Sequence, residues 1–394
     1  MVKKSFDIFD FILSKKLIFI ILLIIILLII IYYNSVTYES FHINHLKYFR
    51  CDTKKLGFIN NEIFNNYGIT KDNNNWNIYI PCGYNYVEKE LLTIQISNNS
   101  NSNYNNKKFI FGINGCDSIV SKNKIWETLV SCYGRNEASK YMPESYVLHD
   151  KDEMVLFKQR FQPTTIYILK KNVQRKEGLK LTSNLNEILS SLMENYRVVQ
   201  KYMTDLYLIN RRKVNLRIYL LVVIKNGYKY FYISHIGKCI YTKKEYNHNN
   251  FDFESNITSY NLDMTVYKKN PRHFNELYKY VNMNSNQNNS GQILKNNIAL
   301  LMNKICVCIS KSVYQSSNLK NTTCFQLFGA DIIFNNQLMP FLLEFNKGPD
   351  MIPRDDIDKE MKITVQEDMF RIVGILPPKL NGMNVFYETY KTKL

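Results

Sequence analysis

The sequence predicts an α+β fold in which amphipathic helices alternate with antiparallel hairpins. Apolar residues recur at helical spacing over Leu185–Met193 and again over Ile293–Ser310. A Lys-Asn-Gly turn at 225–227 joins two strand-like segments. A second hairpin near the C-terminus pairs Phe325–Ile333 with Phe341–Asn346. Hairpins mixed with helices in this way indicate α+β architecture rather than a doubly wound parallel sheet.

The composition is that of a globular and strongly basic chain. Its 394 residues correspond to two or three packed units at about 150 residues each, and a hydrophobic fraction of 45% excludes global disorder. No sequence repeat of roughly 20–50 residues is visible, which argues against solenoids and propellers. The formal net charge of +17 favours a polyanionic partner: nucleic acid, an anionic membrane or an acidic protein. Nucleic acid is the weakest of these because no basic-aromatic motif is present.

The eight cysteines and six histidines do not predict a zinc site, because no CxxC pair and no histidine cluster occurs. The spread of cysteines is ordinary for a reduced intracellular protein. The first four cysteines could nevertheless pair in an oxidising compartment; they are Cys51, Cys82, Cys116 and Cys132.

The N-terminus carries one long apolar segment, from Leu17 to Ile31, closed by two tyrosines. Seventeen residues in a helix span about 25 Å, near the lower limit for crossing a bilayer. We therefore expect residues 1–34 to contain a short cytosolic stub and a single-pass membrane anchor at residues 17–33. The alternatives are a buried helix and a cleaved signal peptide. The signal peptide is disfavoured because the run is long and no small-residue cleavage site follows it.

The chain after the predicted anchor divides into three parts. Residues 35–115 are expected to form a linker and a small N-terminal α/β unit. This unit contains three strand-like segments: Trp76–Ile80, Leu91–Ile96 and Phe109–Ile113. Two α+β subdomains are expected to follow, a central one in residues 116–199 and a C-terminal one in residues 200–394.

The most informative segment is the last hairpin, which carries Asp331 within one apolar strand and Glu344 and Asn346 within the next. Burying acids among apolar residues is costly unless a cation or hydrogen bonds compensate. If the loop is Asn336–Met339, residue 331 faces residue 344 and all three side chains share one face of the hairpin. Two carboxylates and an amide oxygen form a hard site of the kind Mg²⁺ uses with nucleotide phosphates. The alternative is a solvent-facing acidic pair on a sheet edge.

Cationic and polar side chains precede this hairpin on other strands. Lys170 ends an apolar strand and is followed by a polar loop, where it could hold phosphates. The segment VVQKYM places Gln200, Lys201 and Tyr202 between apolar residues. Lys213, Asn215 and Arg217 then alternate along one strand face. Each segment taken singly could equally be the solvated side of a sheet.

Taken in order, these segments resemble the tubulin–tyrosine ligase-like family over roughly residues 115–350. The resemblance is strongest at FQLFGAD, at FLLEFNKGP, and at VVQKYM followed by KVNLRIYLLV. It implies an ATP-grasp fold, with nucleotide held between two α+β subdomains. It also implies an ATP-dependent ligase that joins an amino acid to a protein carboxylate, commonly on tubulin tails, through an acyl phosphate.

The resemblance also implies roles for individual residues. Lys213 and Arg217 would be the catalytic cations that face the phosphates or the acceptor carboxylate. Mg²⁺ would be held by Asp331, Glu344 and Asn346. The remaining positions would bind ATP, with Lys170 at the phosphates and four residues at the adenine; the nucleotide-binding set is Lys170, Gln200, Lys201, Tyr202, Met203 and Asn215.

Several positions depart from the family pattern. The usual Lys-Pro is Lys170-Lys171, and the following QRKEGL loop has a single glycine. Asn215 stands where an aspartate is usual, and Ile240 stands where an arginine is usual. The H-x-T-N segment of the family reads Asn-Ile-Thr-Ser at 256–259. Two alternatives therefore stay open: a nucleotide- or acidic-tail-binding module without turnover, and an ATP-grasp ligase with a non-tubulin acceptor.

The expected partners are an acidic protein acceptor, with tubulin C-terminal tails as one candidate, a free amino acid, and a membrane through residues 17–33. Two arguments disagree about the side of the membrane on which the main domain lies. Four lysines precede the apolar run, so the positive-inside rule places the main domain outside or in a lumen. A need for ATP favours the cytosol.

Overall fold

The computed structural model describes residues 20–28, 46–95, 107–173, 178–259, 262–285, 287–379, 382 and 384–394. Residues 20–28 of the predicted anchor are helical and exposed, and the rest of that segment lies outside the described residues. Within the described part of the chain, no helix is long and apolar enough to cross a membrane. The anchor therefore stays a prediction.

The larger of two sheets has nine strands in the order β13-β10-β9-β11-β4-β3-β1-β2, with β12 paired to β11 beside β4. The strands β4, β3, β1 and β2 run parallel, whereas β9 to β13 pair antiparallel with one another. The strands are β1 (Lys47–Phe49), β2 (Thr70–Lys71), β3 (Ile78–Tyr79), β4 (Phe109–Phe111), β9 (Val214–Lys225), β10 (Tyr228–Tyr241), β11 (Thr323–Phe334), β12 (Pro340–Asn346) and β13 (Phe386–Lys393).

The smaller sheet is antiparallel, with four strands in the order β5-β8-β6-β7. These strands are β5 (Ser145–Val147), β6 (Tyr167–Lys170), β7 (Leu179–Thr182) and β8 (Val198–Lys201). Because β8 ends at Lys201, the sheet of the central subdomain extends two residues past the predicted boundary at 199. The structure thus has the mixed α+β architecture that the sequence predicts.

Helices cover both faces of the large sheet. The helices are α1 (Phe58–Asn66), α2 (Val87–Thr93), α3 (Cys116–Val120), α4 (Lys122–Tyr133), α5 (Arg135–Ala138), α6 (Lys151–Arg160), α7 (Leu185–Ser190), α8 (Phe253–Asn256), α9 (Phe274–Met283), α10 (Ser290–Ile309) and α11 (Asp356–Val373). Strand β9 sends Leu220 and Val222 into the core with α4, α9 and α10, and Leu221 and Val223 into the core with α1 and α11. This alternation explains why β9 is a continuous apolar run, since both faces of the strand are buried.

Three predicted elements differ from the structure. The prediction of a strand at Leu91–Ile96 is wrong, because α2 covers Val87–Thr93 and buries Val87 and Leu91 four residues apart on one side. The helix predicted over Leu185–Met193 ends at Ser190 and continues as a 3₁₀ turn. The N-terminal α/β unit shares the large sheet, because β4 pairs in parallel with the first residues of β11.

Two cysteine pairs form disulfides. Cys51 is bonded to Cys82, and Cys132 of α4 is bonded to Cys308 of α10. The other four cysteines are buried free thiols. Of the first four cysteines, which the sequence suggested could pair, only Cys51 and Cys82 therefore pair with each other.

Candidate functional site

The last hairpin places its acidic residues on one face as predicted, but its loop length and strand register differ from the prediction. Asp331 lies directly opposite Glu344 in the β11–β12 pair. The loop has five residues, 335–339, rather than the four residues of Asn336–Met339. An odd loop alone would put residue 344 on the wrong face, but the register shifts between Asp331 and Ile332, which leaves Leu343 as a bulge. The bulge restores the common face.

Asp331, Glu344 and Asn346 converge in space. The Asn346 amide nitrogen lies 3.4 Å from Asp331 Oδ2 and 3.5 Å from Glu344 Oε1. Two carboxylates and a carboxamide on one face are the oxygen donors that suit Mg²⁺. The amide now directs its nitrogen at the carboxylates, and a turn about its last side-chain bond would present the oxygen instead. The donor set therefore fits a hard divalent cation.

Cations surround this acidic cluster. Arg217 donates from Nε to Asp331 Oδ1 at 2.7 Å and from Nη2 to Oδ2 at 3.0 Å. Lys122 Nζ lies 3.5 Å from Glu344 Oε2. Burial raises the pKa of Asp331, and Arg217 opposes that effect. Burial acts in the same direction on Glu344, but Lys122, Lys170 and Arg217 outweigh it and lower the pKa of that carboxyl.

Two buried lysines line the same cleft, Lys170 at the end of β6 in the small sheet and Lys213 directly before β9 in the large sheet. Lys170 Nζ donates to the carbonyl of the bulged Leu343 at 3.3 Å. Lys213 Nζ donates to the Tyr202 hydroxyl at 3.1 Å and lies 4.4 Å from the centre of that ring. Burial lowers the pKa of Lys170 to about 8 and that of Lys213 to about 7.

Neither buried lysine forms an ion pair with a carboxylate of the described residues. Burying an ammonium group is unfavourable, and the lowered pKa values reflect that cost, which Glu344 and Asp331 partly offset at Lys170. A polyanion bound beside Lys170 and Lys213 would supply the missing charge. Both side chains are therefore suited to phosphate.

The predicted adenine-binding residues lie at the end of β8 and directly after it. Gln200 is buried, and its amide nitrogen donates to the Pro143 carbonyl at 3.2 Å and the Ser145 hydroxyl at 2.8 Å. These bonds fix β8 against β5. The Tyr202 hydroxyl donates to the Asn256 carbonyl at 3.0 Å, which orients the ring beneath Lys213. The side chain of Lys201 is exposed.

Two of the positions that depart from the family pattern are neighbours. Asn215 of β9 pairs with Ile240 of β10 in the sheet register. The Asn215 amide nitrogen donates to Thr258 Oγ1 at 3.0 Å, whereas its buried Oδ1 has no hydrogen-bond partner among the described residues. Lys238, which lies opposite Arg217, donates instead to Asp358 at 3.0 Å. Neither residue of this pair carries a charge; Asn215 lines the cleft, whereas Ile240 is buried beside it.

One cleft of about 940 Å³ brings the acidic cluster and the four buried cations together, a volume typical of a small-molecule site. Every site residue predicted from the sequence lines it: Lys170, Gln200, Lys201, Tyr202, Met203, Lys213, Asn215, Arg217, Asp331, Glu344 and Asn346. The cleft lies between the small sheet, through β6 to β8, and the large sheet, through β9, β11 and β12.

The sequence analysis missed several lining residues, of which Lys122 is the most important. Lys122 is the first residue of α4, and its side chain is only 8% exposed. A lysine is unfavourable at the positive end of a helix, and this was the available signal. Other missed residues lie at the rim and at the walls; they include Pro143, Ile168, Leu179, Asp350, Ile352 and Arg354.

Comparison with known proteins agrees with this geometry. A probable alpha-tubulin polyglutamylase Ttll1 of Tetrahymena thermophila is 26% identical over 223 residues, 54% of this chain and 52% of that protein. Tubulin glycylase 3F of the same organism is 26% identical over 212 residues, 49% of this chain and 23% of that protein. Tubulin monoglutamylase TTLL4 of Mus musculus is 23% identical over 291 residues, 68% of this chain and 24% of that protein.

The chain thus spans about half or less of the length of these relatives. The family model described as the tubulin-tyrosine ligase family matches residues 101–381, more than half of the chain. That range contains every predicted site residue and both sheets that form the cleft, apart from β1 to β3 and β13. The chain belongs to the tubulin-tyrosine ligase family.

Proposed function

We propose that this protein is an ATP-dependent ligase that joins an amino acid to a carboxylate of an acidic protein through an acyl phosphate. The observation that carries the proposal is the convergence of two carboxylates, an amide and four buried cations in one cleft. Such a site can bind a triphosphate and an attacking carboxylate together. Three of the similar proteins carry names of enzymes that add glutamate or glycine to tubulin.

The chain's own residues would act as follows. Lys170 and Lys213 hold the phosphates and offset their charge. Arg217 is held by Asp331 and lines the cleft, where its positive charge can stabilise the acceptor carboxylate or the transferring phosphoryl group. The acceptor carboxylate attacks the γ-phosphorus, ADP leaves, and an amine then displaces phosphate to form the amide bond.

Magnesium would be held by Asp331, Glu344 and Asn346. When bound there, Mg²⁺ neutralises phosphate charge and orients the γ-phosphoryl group. Lys122 sits beside Glu344 and would keep that carboxylate ionised, since it lowers the pKa of Glu344 together with Lys170 and Arg217. ATP and Mg²⁺ are therefore the small ligands that we propose for the cleft.

We propose a glutamate-rich tail as the acceptor, with tubulin C-terminal tails as the first to test and a free amino acid as the second substrate. The formal net charge of +17 suits such a polypeptide. An acidic acceptor other than tubulin fits the same chemistry.

A binding module without turnover is the second candidate function. The observation that favours it is the uncharged pair Asn215 and Ile240, together with the unsatisfied Asn215 Oδ1. Such a module would bind nucleotide through Lys170 and Lys213 but would transfer no phosphoryl group.

Ligation assays separate the two candidates. The full-length chain is incubated with ATP, Mg²⁺, tubulin and each labelled amino acid, and modified peptides are identified by mass spectrometry. We expect one amino acid to be added to an acidic peptide. ATP binding without any product, on tubulin or on other glutamate-rich proteins, would support the binding module instead.

Attachment to a membrane through residues 17–33 is a separate proposal, which rests on the apolar run alone. Carbonate extraction tests it, because a spanning segment resists alkaline washing. Release of the full-length chain at high pH would contradict it.

A further inference from the structure

A second pocket, of about 530 Å³, lies in the N-terminal unit and shares no lining residue with the cleft. Its lining contains four cationic side chains and two aromatic rings: Arg50, Lys54, Lys55, Lys71, Tyr48 and Phe58. We call this site the basic pocket. Asp52 is the one carboxylate among its described lining residues, so the formal net charge of the lining is +3.

Most of this charge is available to a ligand. Lys71 is paired with Asp52 at 2.6 Å. Arg50 donates to the carbonyls of Lys55 at 3.0 Å and Pro81 at 2.6 Å, which orient the guanidinium but leave its charge uncompensated. Lys54 and Lys55 are exposed and form no ion pair within the part of the chain that the structure describes. The first turn of α1, which lines the pocket with Phe58 and Asn61, also lacks an acidic residue.

Residues 50–58 of the basic pocket and Lys122 of the cleft follow parallel strands of the large sheet. Strands β1, β3 and β4 run parallel, so the segments that follow them emerge at one edge. Arg50 follows β1, and Lys122 of the cleft follows β4. From β11 to β1 there are three strand spacings, about 14 Å at ~4.8 Å each. Along the strands, Asp331 lies six residues beyond Phe325, which is level with Arg50 in the register, and this adds roughly 20 Å. The separation is therefore about 24 Å, which an extended polypeptide covers with about seven or eight residues.

We propose that the basic pocket binds carboxylates of the acidic acceptor polypeptide, about seven or eight residues away from the carboxylate that is modified in the cleft. This inference rests on the proposed function. Lys54, Lys55 and Arg50 would pair with glutamate carboxylates, while the rings of Tyr48 and Phe58 would contact their aliphatic parts. Engaging the acceptor at two sites raises its local concentration at the cleft.

A binding assay without nucleotide tests the pocket independently of ligation. A fluorescent glutamate-rich peptide is titrated with the full-length chain, and its Kd is measured by anisotropy. We expect the double variant Lys54→Glu/Lys55→Glu to raise Kd roughly tenfold, and Lys54→Gln/Lys55→Gln to raise it by a smaller factor. The matched control is Lys268→Glu/Lys269→Glu, an adjacent exposed pair that lines neither pocket, and it should change Kd less than twofold.

The proposal would be overturned if the Lys268→Glu/Lys269→Glu control weakened peptide binding as much as Lys54→Glu/Lys55→Glu does. It would also be overturned if the unmodified protein did not bind the peptide. It would also be overturned if a single-stranded RNA bound as tightly as the peptide with the same dependence on Lys54 and Lys55. In ligation assays the pocket variants should raise KM for the peptide roughly tenfold and leave kcat unchanged. If the pocket variants ligate the peptide with an unchanged KM, the role proposed for the basic pocket is refuted, but the proposed function is not. Peptide binding that depends on Lys54 and Lys55, without any ligation, would refute the proposed function alone.

Discussion

Arg217 and Asp331 form a buried, two-bond ion pair between the neighbouring strands β9 and β11. The bonds measure 2.7 Å from Nε and 3.0 Å from Nη2, and the two residues are direct partners in the strand register. Removing one member of a buried pair is costly, because the other charge is left uncompensated. The pair therefore couples the stability of the sheet to the geometry of the proposed active site.

Arg217→Lys tests whether this geometry serves catalysis. A lysine keeps the positive charge but cannot reproduce the two parallel bonds that hold the guanidinium against Asp331. We expect ligase activity to fall by roughly 100-fold, with ATP binding retained and the free energy of unfolding reduced by about 1–2 kcal/mol. Single-turnover ligation at saturating ATP measures the first effect.

The control for this variant is Arg211→Lys. Arg211 is paired with Glu245 at the surface, with side chains 79% and 53% exposed, so the change should be nearly silent. Near-normal rates for Arg217→Lys would remove Arg217 from the proposed mechanism.

Glu344→Gln tests the proposed metal site. Glutamine keeps the shape of the side chain but removes a charged oxygen ligand, so Mg²⁺–nucleotide should stabilise the variant much less than the unmodified protein. Thermal unfolding with and without Mg²⁺–ATP is the measurement, and ATP turnover should be lost. Glu245→Gln, at an exposed ion pair, is the control. If Glu344→Gln keeps its full thermal shift and its turnover, the hairpin does not hold the metal.

The two buried lysines predict proton uptake when ATP binds. With pKa values of about 7 for Lys213 and about 8 for Lys170, both are partly neutral at pH 8 in the free protein. Phosphate favours the ammonium form and raises both pKa values, so binding should take up protons and tighten as the pH falls from 9 to 7. Calorimetry in two buffers of different ionisation enthalpy measures the protons taken up.

Lys213→Gln should abolish most of this uptake while leaving the contribution of Lys170. The stability of the nucleotide-free protein depends on pH in the opposite direction. In the unfolded chain both lysines have their ordinary pKa, so they stay protonated to a higher pH than in the folded protein. The nucleotide-free protein should therefore gain stability from these groups as the pH rises above 7. Buffer-independent enthalpies of ATP binding at pH 8 would show that neither lysine titrates with the ligand.

The sequence was sufficient for the site residues that lie on regular strands. Alternation placed Asn215 and Arg217 on one face of β9, with Lys213 directly before it, whereas Asp331 lies opposite Glu344 only because the bulge offsets the extra loop residue. The bulge at Leu343 was not predictable, because nothing in FLLEFN distinguishes a bulged strand from a regular one. Its effect is functional, since the freed Leu343 carbonyl is the acceptor for Lys170.

Contacts between distant segments could not be derived from the sequence. Lys122 reaches Glu344 across 222 positions of the chain, and only the packing of α4 beside the hairpin creates that contact. The same holds for Thr258, which meets Asn215 through the loop after α8. The parallel pairing of β4 with β11 also lies beyond local patterns, because it joins segments more than 200 residues apart. Tertiary packing decides each of these contacts.

Position 329 requires glycine because neighbouring side chains lie close to its Cα atom, and not because of its backbone conformation. A Cβ atom at this position would lie 2.9 Å from Arg217 Cδ and 3.1 Å from Pro349 Cβ. Since Arg217 is held by Asp331, the added methyl group of Gly329→Ala would have to displace the guanidinium or strain the hairpin. We expect ligase activity to fall at least tenfold, while ATP binding at the distant Tyr202 end of the cleft changes little. Gly83→Ala is the matched control, because no atom lies within 4 Å of its Cβ position. Full activity in Gly329→Ala would mean that Arg217 can shift without loss, and that its contact with Asp331 does not set the catalytic geometry.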